Sequence, residues 1–377
     1  MNVPMENKLK TIYYPELDSL RFLAFLAVFI HHSPPLTKVP YWQYLYQYGW
    51  LGVDLFLCLS AFLFTRLLFS EHQATGKINI WNFYVRRSLR IWPLYFMFFG
   101  LIFAYSLATS NWETGYSIRM LGVLTFTDNI FSAFWGSYNP FIASAHLWTI
   151  SYEEQFYAVI PWTLRKLFQA GRAAQLRFLA IVFVVGQLLR VALIASGVHY
   201  LAFWVLPITH FESILGGLLI GLGLLDEPLK KIPNALVLLA GLLSLASVCS
   251  LPNIYTEGWH LPLSYTLTGL GMTLIIHAVL NQKQTFVRRA FQNKVFTYLG
   301  KISYGLYVYS ALGLLLGAQV AIKWLHVPKN AAFYYPLAVM LASLLITILI
   351  SILSYQLVEK NFLRLKKRFT VIESRPI

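Results

Sequence analysis

Apolar residues fall in long unbroken runs, near 20 to 33, 49 to 69, 91 to 109, 117 to 135, 145 to 164, 178 to 196, 203 to 225, 233 to 251, 262 to 280, 303 to 323 and 331 to 357. Most have the roughly 18 residues that carry a helix across a hydrocarbon core at about 1.5 Å per residue. The polar breaks between them are short and rich in Lys and Arg. This pattern predicts an all-α, polytopic integral membrane helical bundle.

Basic residues set the number of crossings. If all eleven runs crossed with the N-terminus inside, 17 of the 30 Lys and Arg would lie outside, against the positive-inside bias. The run 117 to 135, SIRMLGVLTFTDNIFSAFW, carries Arg119, Asp128 and Asn129 and is the weakest span. Reading it as re-entrant or non-spanning repairs every later loop and puts 25 of the 30 basic residues inside. The expectation is about ten transmembrane helices with both termini cytoplasmic, Lys8 and Lys10 included among the inside charges. The chain starts polar, and no small-residue cleavage site follows the first run, so that run reads as an uncleaved span. Residues 1–360 are expected to form one membrane domain and 361–377 a basic cytoplasmic tail, with no internal repeat and no appended soluble domain.

Composition agrees. Of 377 residues, 58% are hydrophobic and 12% charged, against about 25% charged in soluble domains. The net charge of +15 sits in the loops between apolar runs, which argues for membrane orientation and against nucleic acid as a partner. Cys58 and Cys249 both fall in apolar runs and offer neither a disulfide framework nor a metal-ligand spacing.

Ionisable groups inside a bilayer are costly and usually face a cavity or a partner. The first run, LDSLRFLAFLAVFIHHS from Leu17 to Ser33, has an arginine at one end and two histidines at the other. On a helix, Arg21 and His32 stand roughly 16 Å apart and within about 20° of one face, whereas His31 lies about 80° off it. His32 is therefore the better partner of Arg21. Asp18, a turn earlier, can hold the guanidinium or cap the helix. Asp54, near the outer end of the second run, is expected either to orient His32 or to stand hydrated at the interface.

Arg86, Arg87 and Arg90 stand where the third run enters from the cytoplasm. Arg87 and Arg90 are one turn apart and suit a single polyanion, because guanidinium forks match phosphate oxygens bidentately; lysines would serve equally well as plain anchors. In HLWTISYEEQFYAVIPW, His146 and Glu153 share a helical face and Glu154 and Tyr157 a neighbouring one, as a pocket wall or as polar glue between helices. Arg190 is placed as counter-charge to Glu212, which follows His210, and Gly216 and Gly217 read as close-packing positions. Tyr304, Tyr307 and Ser310 read as aromatic belt and packing.

Together, LDSLRFLAFLAVFIHH, GVDLFLCLSAFLFTRLL, FYVRRSLRIWPLYF, HLWTISYEEQFYAVIPW, ISYGLYVYS and SYQLVEKNF resemble, in order, the acyltransferase family 3 membrane proteins. These are O-acyltransferases of bacterial surface polysaccharides and some antibiotics. The resemblance maps the family's arginine and histidine onto Arg21 and His32, its Arg-x-x-Arg onto Arg87 and Arg90, and its Ser-x-Glu onto Ser151 and Glu153. It implies His32 and Glu153 as catalytic, Arg21, Arg87 and Arg90 as donor-binding and Ser151 as supporting; Asp18, Asp54, His146, Glu154 and Glu212, read from their positions in the apolar runs, are expected to support the same site. It also implies an acyl-coenzyme A co-substrate, most often acetyl-CoA, with no permanently bound cofactor and no metal. The acceptor would be a hydroxyl of a glycan or lipid-linked saccharide, and the location the bacterial cytoplasmic membrane. His32 would act as general base in direct transfer, with a histidine acyl-enzyme as the variant. The chain departs from the family at Tyr309 and Ser310, where many members have Trp-His, and at Ala61, a common glycine. A transporter of a lipid-linked sugar or small anion is the alternative reading of the same buried charges.

Overall fold

The computed structural model describes residues 12–109, 114–256, 258–282 and 285–372; Lys8, Lys10, Lys283 and Arg375 lie outside them. Every regular element among the described residues is a helix. The first, α1 (Pro15–His32), begins on a proline with Glu16 and Asp18 in its first turn, the arrangement that suits the positive end of the helix dipole. It ends where Pro34 forces Ser33 into extended backbone (φ −78°, ψ 157°).

The chain continues through α2 (Trp42–Tyr48), α3 (Leu51–Thr75) and α4 (Ile80–Ala108). The fourth apolar run forms two pieces, α5 (Thr114–Leu124) and α6 (Asp128–Trp135), each too short to cross a bilayer. Its polar residues turn inward: Arg119 pairs with Asp128 at 3.0 Å, and Asn129 exchanges hydrogen bonds with Gln155. A 3₁₀ turn, Ala145–Leu147, leads into α7 (Trp148–Leu167), followed by α8 (Arg172–Ala195).

The seventh run, expected as one span, is broken into α9 (Tyr200–Val205) and α10 (Glu212–Gly221). Pro207 forbids helical backbone at Leu206 (φ −92°, ψ 133°). Next come α11 (Asp226–Leu229), α12 (Asn234–Val248), α13 (Leu261–Leu280), α14 (Thr285–Phe291), α15 (Lys294–Lys301), α16 (Ser303–Lys323) and α17 (Tyr334–Ser354). A π-helical turn, Tyr355–Glu359, then α18 (Lys360–Lys366) and a 3₁₀ turn, Lys367–Phe369, extend α17 without interruption. Residues 360 and 361 thus lie within continuous helical backbone.

Among the described residues, six helices are long and apolar enough to span a membrane: α3, α4, α8, α13, α16 and the rod from Tyr334 to Phe369. The apolar α10 and α12 are shorter. The protein is an integral membrane helical bundle with α1 at its centre, packed against α2, α3, α15 and α16. Leu17, Leu20, Phe25, Val28 and Phe29 of α1 are all at most 3% exposed, so α1 is covered on several sides. Close approach of α3 and α10 needs glycine at 217, where a Cβ would sit 2.3 Å from the Cys58 carbonyl oxygen and 2.7 Å from Ala61 Cβ.

Candidate active site

A large cavity, about 1570 Å³ with its open mouth, runs up beside α1 from the basic end of the bundle. Its wall carries six cations, Arg21, Arg87, Arg90, Lys301, Lys366 and Lys367, against two carboxylates, Asp18 and Glu153. That excess suits a polyanion.

The helices fix the cations in different ways. Arg21 donates to Asp18 at 3.0 Å, the pairing expected from their spacing. Arg90 reaches Glu359 of the π turn at 3.7 Å and the Lys301 carbonyl at 3.3 Å; π turns commonly mark functional sites because they redirect side chains. Arg86, on another face of α4, instead binds Glu71 and the Phe369 carbonyl, both at 2.8 Å. Arg87 lies with its guanidinium 4.4 Å from the centre of the Phe64 ring. It makes no ion pair among the described residues, and its buried Nε has no hydrogen-bond partner. A buried cation with no bound anion is expensive, so Arg87 is the position in this wall best suited to receive one.

Higher in the cavity, Glu153 accepts a hydrogen bond from Tyr157. Tyr304 donates to the Ile91 carbonyl at 2.8 Å. Tyr307 donates to the His146 carbonyl at 3.0 Å and accepts from Thr149 at 2.7 Å. Tyr304 and Tyr307 therefore line the cavity, not a lipid-facing belt as expected; their spacing alone did not distinguish the two. Phe56, edge-on to Tyr307 at 6.3 Å, closes the same level.

The histidines lie beyond that layer, and none of them lines the cavity. His31 is engaged at both nitrogens: the Tyr46 carbonyl can only accept, so Nδ1 donates to it, and the Tyr255 hydroxyl donates to Nε2, both at 2.6 Å. Burial pushes the Tyr255 phenol above its usual range, which preserves that donor. His32, by contrast, donates from Nδ1 to the Val28 carbonyl at 2.8 Å. Its Nε2 then holds a lone pair with no partner among the described residues, and the ring is exposed at the end of α1. The two neighbouring histidines therefore differ in their free hydrogen-bonding capacity.

Other expected site residues go elsewhere. Asp54 does not orient His32; it accepts from His210 Nε2 at 2.9 Å and Ser213 at 2.5 Å, across the α3–α10 contact. Arg190 and Glu212 do pair, at 2.6 and 2.9 Å, with Arg190 fully buried. His146 precedes α7 in the 3₁₀ turn, so it does not share a cavity face with Glu153; its Nε2 donates to the Val308 carbonyl at 3.2 Å. Ser151 is fully buried away from the cavity, and Glu154 faces α4 through Trp92 at 3.4 Å. Sequence reasoning missed Thr149, Lys301, Lys366 and Lys367. The only signal for the lysines was their charge, which positive-inside bias already explained.

A family model described as an acyltransferase domain matches residues 14–356. A Staphylococcus aureus (strain COL) protein that carries the name Putative O-acetyltransferase is 26% identical over 94% of this chain and 58% of its own length. O-acetyltransferase OatA of Staphylococcus aureus (strain NCTC 8325 / PS 47) is 24% identical over 79% of this chain and 50% of its own length. The chain thus spans little more than half of these curated relatives. No solved structure matches it. With the model match covering nearly the whole chain, the chain belongs to acyltransferase family 3.

Proposed function

We propose that this chain is a bacterial membrane O-acyltransferase that takes an acyl group, acetyl in the first instance, from acyl-coenzyme A at the cytoplasmic face. It delivers the group to a hydroxyl of a glycan or lipid-linked saccharide on the other side. The observation that carries the reading is the Arg87 guanidinium, without an ion-pair partner in a wall of excess positive charge. Coenzyme A combines phosphates with a long flexible arm ending in a thioester. Its phosphates suit Arg87 and Arg90 in the bidentate manner of guanidinium groups, and its arm suits the apolar upper cavity lined by Val53, Phe56 and Leu57.

The reaction follows from the fixed tautomer of His32. Its Nε2 lone pair takes the proton of the acceptor hydroxyl while the hydroxyl oxygen attacks the thioester carbonyl. The carbon–sulfur bond then breaks, and the thiolate leaves with the proton from the imidazolium. Glu153, backed by Tyr157, supports the upper cavity. Phe56, Thr149 and Tyr307 line the cavity and His32 does not, so the arm must reach beyond these residues before transfer.

The test is calorimetric titration of coenzyme A into the purified full chain in nanodiscs. Arg87→Ala is expected to weaken binding by about tenfold or more. Absence of coenzyme A binding by folded wild-type protein would contradict the donor assignment.

A further inference from the structure

The stretch after α17 reads in sequence as a basic tail, yet it is built into the cavity. Leu363 is 7% exposed and packs in one apolar cluster with Phe22 and Phe25 of α1. The Phe369 carbonyl accepts from Arg86, which Glu71 holds in turn. Ile372 is 7% exposed beside a second, smaller cavity that Arg87 and Lys366 line together. These contacts pin residues 360–372 across the basic mouth as a strap.

The strap presents its charges unequally. Half-buried Lys366 and exposed Lys367 line the main cavity together with Arg87 and Arg90, whereas Arg364 and Arg368, also exposed, do not line it. If the strap only satisfied membrane orientation, no such division would be needed. The mouth also carries Tyr13, Tyr14 and Tyr355, whose ring faces suit a purine.

We infer that the C-terminal strap completes the donor site, with Lys366 and Lys367 holding phosphates at the nucleotide end of the donor while Arg87 and Arg90 hold those nearer the arm. This rests on the donor reading above. Lysine ammonium groups serve here as point charges, and the partial exposure of Lys366 and greater exposure of Lys367 make each contact modest.

The experiment titrates coenzyme A into wild type, Lys366→Gln/Lys367→Gln, Arg364→Gln/Arg368→Gln and Arg87→Ala in nanodiscs. Each pair removes the same charge from the same strap, so a general loss of basicity affects both equally. The cavity-facing pair is expected to lose about tenfold in affinity, and the outward pair to stay at the wild-type value. Equal losses in the two pairs, or no loss in the first while Arg87→Ala still weakens binding, would overturn the strap's role and leave the donor reading standing. No binding by wild type would overturn both. Pantetheine, which has the arm without the nucleotide, adds a control for folding: competition by pantetheine should be the same in wild type and the Lys366/Lys367 variant, and a change there would overturn the assignment to the nucleotide end.

Discussion

At the scale of single residues, helical spacing made the local pairs legible and long-range partners illegible. Asp18 with Arg21, and Arg87 with Arg90, follow from one helical turn and stand as expected. Asp54 was expected near His32, but its partners are His210 and Ser213, 156 and 159 residues away, brought in by a contact between α3 and α10 that no local rule encodes. The preference for His32 over His31 came from helix phase, and the structure shows a chemical difference between the two: among the described residues His31 is engaged at both ring nitrogens and His32 at one. Arg190 and Glu212 were paired from their charges alone, since neither could be left single inside a bundle. Arg190→Met leaves the Glu212 carboxylate buried without its cation, and a loss of about 3 to 5 kcal/mol is expected. Thermal unfolding in detergent reads it as a large drop in midpoint; an unchanged midpoint would show that the pair is dispensable.

At the scale of elements, apolar length predicted where helices lie and failed where a run is interrupted. The fourth run was set aside as non-spanning because of its charges, and it does form the two short helices α5 and α6 around the Arg119–Asp128 pair. The seventh run gave no such warning beyond Pro207, and it breaks into α9 and α10. Irregular backbone at such depth persists only where protein buries it, and here the Thr209 carbonyl receives Arg190 at 3.1 Å while His210 is held by the Trp204 carbonyl at 2.9 Å. Glycines marked the packing seams correctly, Gly217 most plainly. Gly217→Val would push α10 off α3 and cost about 1 to 3 kcal/mol. That cost should appear as a lower unfolding temperature with the Arg190–Glu212 pair still present, and a neutral outcome would mean that the α3–α10 contact does not depend on glycine at 217.

At the scale of the whole molecule, charge and chemistry are divided along α1. The cavity carries its cations toward the start of α1, Val53, Phe56, Thr149 and Tyr307 line its upper part, and His32 is exposed at the far end of the same helix. This division was half legible: the stripe from Arg21 to His32 gave its axis, but the tyrosines and strap lysines that complete the cavity looked like ordinary membrane anchoring. The central claim is that a donor bound among the arginines reacts at His32. The most direct measurement is thiol release from acetyl-coenzyme A by the purified chain in liposomes, comparing wild type with His32→Gln and His31→Gln. Loss of the general base is expected to lower release by about a hundredfold or more, with His31→Gln staying within about tenfold of wild type. Undiminished release by His32→Gln, in protein that still binds coenzyme A, would contradict the account.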